Sequence, residues 1–160
     1  MSRPFDRVPD GRINVPRPYN HAGTFQLVSY NLLRIMAGLD FAQHGAQKLL
    51  GAFGGMGPAG GSVPLFSLFG LAGTIELVGG LLIAFGLFTR PVAFIASGEM
   101  ATAYFMGHFP KNFFPIKSGG ELAVLFCFTW LFFAAHGAGA WSLDALISRR
   151  KDPLDVAANT

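Results

Sequence analysis

The stretch Leu65–Phe88 reads LFSLFGLAGTIELVGGLLIAFGLF and carries a single charge, Glu76. A helix needs about 20 mostly apolar residues to cross the hydrocarbon core of a bilayer. This run meets that length and sets the reading of the rest. Three further apolar runs flank it, at about Gln26–Leu50, Pro91–Phe109 and Glu121–Ala140. The expected fold is therefore all-α: a four-helix transmembrane bundle in one domain, residues 25–148. The run from Gln26 is the least apolar, because it contains Arg34, Asp40, His44 and Lys48.

Composition agrees. Of the 160 residues 51% are hydrophobic and only 13% are charged, where soluble domains carry about 25%. Mean hydropathy is +0.43. A disordered chain, a nucleic-acid binder and an ordinary soluble enzyme are all disfavoured. The net charge of +3 belongs to the tails. Residues 1–24 have four arginines against two aspartates, and residues 149–160 have Arg149, Arg150 and Lys151 against Asp152 and Asp155. Residues 25–148 sum to zero. Pro4, Pro9, Pro16 and Pro18 mark the first segment as an extended, disordered basic tail. It has no apolar core of the kind a secretory signal needs. One cysteine, Cys127, allows no internal disulfide and no Cys-x-x-Cys pair.

Between the first two runs lies GAFGGMGPAGGSVP, residues 51–64. Gly55–Gly60 matches G-x-G-x-x-G formally, but no strand precedes it, so it reads as a flexible or re-entrant loop rather than a dinucleotide cradle. The turn before Pro91 starts the third run, with Thr89 or a neighbour as its cap. Trp141–Ile147 reads as a short interfacial helix capped by Ser142. Lys and Arg near the span ends divide eight against three, in favour of the side holding both termini. That places both termini on the cytoplasmic side of a multi-pass chain, with the lipid bilayer as first partner and no nucleic acid.

Charges inside spans are costly, about 2.5–3.5 kcal/mol each at the helix centre, and mark functional sites by default. Arg34, Asp40, Lys48, Glu76, Glu99 and Glu121 qualify, with His44 and His108 beside them. Depth at about 1.5 Å per residue sorts them into two layers. A central layer joins Arg34 to Glu76 and Glu99. An outer layer joins His44, Lys48 and His108 to Glu121. Arg34, Ala37, Gly38, Phe41, His44, Gly45 and Lys48 share one helical face, with Asp40 at its edge. The six charges carry an acidic excess of two, so at least one carboxylate is protonated or pairs with something outside the chain. Haem ligation by His44 and His108 is disfavoured against ordinary hydrogen bonding. A metal site is not expected, and Cys127 reads as a packed thiol.

The stretches His44-Gly45-Ala46-Gln47-Lys48-Leu49, Glu76-Leu77-Val78-Gly79-Gly80 through Thr89-Arg90-Pro91, Glu99-Met100-Ala101, Glu121-Leu122-Ala123 and Gly139-Ala140-Trp141-Ser142-Leu143-Asp144 resemble the DoxX family of small bacterial membrane proteins, over about residues 28–147. The resemblance implies a membrane redox connection: a subunit of, or accessory to, a quinone-linked oxidoreductase complex, with quinone as the cofactor and protein partners or further copies of itself in the membrane. Quinone carbonyls need donors such as Arg34, His44 or a protonated Glu. No independent catalytic motif is present. A non-catalytic scaffold or assembly factor, and a small proton-relay or carrier protein, are the alternatives.

Overall fold

A computed structural model describes residues 21–56 and 60–151. The basic tail expected over the first residues lies outside them up to residue 20, and so does the C-terminal tail from residue 152. Among the described residues the protein is all-helical. Helix α1 spans His21–Leu50, so helix begins inside the expected tail. α2 spans Leu68–Phe85, widening to a π turn at Ile75–Gly79. α3 spans Thr89–Ala103 and continues through a second π turn, Tyr104–His108. A short α4, Pro115–Ser118, precedes α5, Glu121–His136, and α6, Leu143–Lys151.

The ends follow local chemistry. Ser67 caps α2 by accepting the Gly70 N–H at 3.0 Å. Gly86, at φ +70°, ends it in the left-handed conformation that glycine adopts without steric cost. The Ser142 hydroxyl accepts the Ala145 N–H at 3.1 Å, as expected of the cap of α6. The start of α3 departs from expectation. Thr89 does not cap it, and its buried hydroxyl has no partner. Instead the Asp144 carboxylate accepts the N–H groups of Phe88 and Thr89, at 2.9 and 3.0 Å. A carboxylate suits the positive end of a helix.

The four long helices run up, down, up and down. α1 and α2 meet backbone to backbone. A Cβ on Gly38 would stand 2.8 Å from the Ala84 N and Gly80 O atoms, and one on Gly80 would stand 2.6 Å from Ala42 N and Gly38 O. Gly45 and Gly73 repeat the contact one heptad away. Small residues permit this close approach and the dispersion contacts that come with it. α3 and α5 form the second pair, tied by the Ser97 hydroxyl donating to the Cys127 carbonyl at 2.8 Å. Aromatic rings fill the space between the pairs. Phe41 of α1 lies 5.1 Å edge-on to Trp130 and 5.3 Å from Phe126, both on α5.

The exterior is apolar. Leu71, Val78 and Phe85 on α2, Phe94 and Ile95 on α3, and Leu122, Leu125 and Phe128 on α5 are all exposed, while Arg34, Asn31 and Glu76 are buried. By length and composition one helix, Leu68–Phe85, is long and apolar enough to cross a membrane. The expected four spans exceed that. The apolar run of α1 is interrupted by Arg34, Asp40 and Lys48, and α5 is apolar but 16 residues long.

Candidate functional site

The charged residues of the interior form two separate groups, and these are not the layers expected from sequence. Arg34 is wholly buried, yet it meets neither Glu76 nor Glu99. Its Nη1 donates to the carbonyls of Ile83 and Ala84, at 2.5 and 2.7 Å, and its Nη2 to that of Trp141, at 2.5 Å. These are carbonyls at the C-terminus of α2 and just before α6. Arg34 is thus a helix cap supplied from another helix, matching a cation to the negative end of α2. Its neighbours complete a clamp. Asn31 Oδ1 accepts the Trp141 N–H at 3.0 Å, the Tyr30 hydroxyl donates to Gly137 O at 2.6 Å, and the Asp144 N–H donates to Gly86 O at 2.9 Å. Residues 137–144 therefore strap the end of the fold where α1 enters.

Lys48 and Glu76 form the other centre. The Lys48 ammonium contacts both oxygens of the Glu76 carboxylate. Glu76 is 2% exposed. Among the described residues this is the one ion pair. The depth count failed here because α1 and α2 lock by their glycines. Gly73 packs against the Lys48 side chain, which puts Glu76 one turn from Lys48 and some seven residues from the level of Arg34. The four-carbon stem of Lys48 covers the remaining distance.

Glu99 completes this centre from α3. It is half-buried on the face of α3 that carries the buried Ala96. Its Oε2 is buried with no hydrogen-bond partner, and the charges of Glu76 and Lys48 act on it. His44, one turn before Lys48, is half-buried, its ring 6.1 Å from that of Phe126, and it acts electrostatically on Glu76. A buried ion pair, an unpaired carboxylate oxygen and an imidazole thus converge from α1, α2 and α3 beneath an aromatic ring of α5. Such a group can hold a polar ligand atom or carry a proton.

The other expected residues lie apart. His108 belongs to the π turn ending α3, where its Nδ1 faces the Ser118 carbonyl at 3.1 Å and its ring stacks on Tyr104. Glu121 is exposed in the first turn of α5 and makes no ion pair with Lys48 among the described residues. There a carboxylate favours the helix dipole. Asp40 is exposed on α1, turned away from the shared buried face. Sequence reading missed Asn31, Tyr30 and Asp144. Asp144 had a signal, an acidic residue just after a Ser cap, but its partner helix lies 55 residues away.

The DoxX family model matches residues 30–109, the segment that holds Arg34, Lys48, Glu76 and Glu99. The chain belongs to the DoxX family. An uncharacterized protein of Haemophilus influenzae is 45% identical over 119 residues, covering 70% of this chain and 85% of that protein. A Bacillus subtilis protein provisionally named oxidoreductase CatD is 30% identical over 133 residues, covering 79% of this chain and 92% of that one. No solved structure matches this DoxX protein significantly.

Proposed function

We propose that this DoxX protein is a multi-pass membrane protein whose four long helices all cross the bilayer, and that it serves as the quinone-binding subunit of a membrane redox complex. An apolar exterior around a charged interior is the arrangement a bilayer selects, since lipid tails solvate Leu and Phe and reject Lys and Glu. Both termini belong on the cytoplasmic face of a bacterial inner membrane, because the strapped end of the fold is also the end of Arg90 and of the Arg149-Arg150-Lys151 run.

The observation that carries the redox reading is the unpartnered Oε2 of Glu99 beside a closed Lys48–Glu76 pair. A quinone carbonyl needs a hydrogen-bond donor in an otherwise apolar pocket. Glu99 in its acid form fits that need. Arg34 serves the fold: its Nη atoms are committed to three carbonyls, and its buried Nε–H, without a partner among the described residues, lies at the strapped end. The relative provisionally named an oxidoreductase lends the redox class. The chain has one cysteine and so no cysteine pair, and this reading assigns the delivery of electrons to a partner protein.

Thermal unfolding of the detergent-purified protein with a short-chain ubiquinone analogue tests this. The midpoint rises in the wild type and in Glu99→Gln, which keeps a donor, and stays flat in Glu99→Leu. A flat wild-type response sinks the reading. A second reading, a non-catalytic scaffold, draws on Arg34, whose whole visible role is to hold α1, α2 and the strap together.

A further inference from the structure

Asp40 stands where a membrane helix should be apolar. It is exposed, midway along α1, about 9 Å along the axis from Arg34 and about 12 Å from Lys48. At 100° per residue it points about 160° away from Gly38, the residue that touches α2. The same outward face carries Gln43, exposed, and Gln47, half-buried, at spacings of three and four residues. The outward faces of α2, α3 and α5 carry Leu71, Val78, Phe94, Ile95, Leu125 and Phe128. The outward side of α1 also exposes Leu33, Met36 and Leu39, and among them it carries this polar stripe. Its amide is barely used within the chain: Gln43 Nε2 reaches only the Leu39 carbonyl, at 3.4 Å.

Resting on the membrane reading above, we infer that this face of α1 is the seam of a parallel homodimer, in which Gln43 of each copy donates to Asp40 of the other. Lipid offers no partner to a carboxylate or a carboxamide, so such groups are satisfied by a neighbouring helix. A second copy suits this stripe because it is self-complementary. Each copy brings one acceptor, Asp40, and amides that both donate and accept, at the same depth, since all copies insert the same way. Positions 40, 43 and 47 follow the spacing of a coiled-coil seam, and polar residues at such positions fix register and copy number. A two-fold axis along the membrane normal pairs identical faces.

Single-cysteine crosslinking in native membranes tests the seam. In a Cys127→Ser background, Gln43→Cys gives an oxidised dimer of twice the monomer mass. Phe94→Cys, on the outer face of α3, does not. Light scattering in mild detergent finds a dimer for the wild type and for Asp40→Asn, which keeps the polar contact, and a monomer for Asp40→Leu combined with Gln43→Leu. Carbonate-resistant sedimentation is read on every variant. Equal crosslinking at both positions, none at position 43, a product of another mass, or a leucine variant still dimeric overturns the seam while the protein stays in the membrane pellet. Loss of the wild type from that pellet overturns the membrane reading instead.

Discussion

The Nη2 of Arg34 lies 2.5 Å from the carbonyl oxygen of Trp141, a residue 107 positions later in the chain. One guanidinium thereby joins the entry helix, the C-terminus of α2 and the strap that precedes α6. Arg34→Met retains much of the stem and removes every donor. Buried carbonyls without their partner cost about 1–3 kcal/mol each, so the variant loses about 3 kcal/mol or more. A lowered thermal midpoint in detergent, with weaker retention in the membrane fraction, is the expected reading. A midpoint like that of the wild type would show that the strap holds without Arg34.

Asp144 acts on the same end through a different helix. Asp144→Ala removes the acceptor of the Phe88 and Thr89 N–H groups and costs about 1–2 kcal/mol, as for other lost caps. Asp144→Asn keeps an acceptor oxygen and recovers much of that. Amide hydrogen exchange at the start of α3 checks this locally, with faster exchange expected in the alanine variant.

The Lys48–Glu76 pair behaves asymmetrically when broken. Lys48→Met leaves a 2% exposed carboxylate without its cation and costs about 3–5 kcal/mol. Lys48→Met combined with Glu76→Leu removes both charges and recovers most of the loss, because a buried pair often stabilises little over apolar residues of similar size. A double-mutant cycle on detergent melts measures this. Additive losses would mean the two side chains do not act as a unit.

Glycines in this protein divide by what they touch. Gly45→Ala drives a methyl group into the backbone of α2 at Gly73 and Leu77, and Gly80→Ala into that of α1. Each forces the helices apart and costs several kcal/mol, on the order of an overpacked core. Gly98 and Gly107 face open space, and alanine there is neutral or stabilises by up to about 1 kcal/mol through helix propensity. Melting midpoints of the four variants decide it; uniform behaviour would refute the seam between α1 and α2.

The helices themselves were legible in the sequence, because apolar runs of that length have few other uses. So was the shared face of α1: Phe41, Gly38 and Arg34 are buried as its periodicity required. Partnerships were not legible. Aligned helix midpoints would pair Arg34 with Glu76, whereas glycine contacts set the register and α1 overshoots α2 at its N-terminal end. The π turns at Ile75–Gly79 and Tyr104–His108 each add a residue to a turn and rotate the helical face beyond it, which periodicity at 3.6 does not track. Asp40 is expected at the edge of the buried face, yet it is exposed, on the side of α1 opposite the buried Gly38. The cap from Asp144 depends on a contact across the whole second half of the chain, beyond any local pattern.

The two ends of this molecule are fastened by different means. At the entry of α1, at least six hydrogen bonds to backbone groups knit three helices and the strap. At the other end, among the described residues, one side-chain pair joins α1 to α2, beside the close Gly45–Gly73 packing and the Val63 N–H donating to the Lys48 carbonyl at 2.8 Å. The strapped end is thus held by directional bonds to backbone groups, the Lys48 end by close packing and one charge pair.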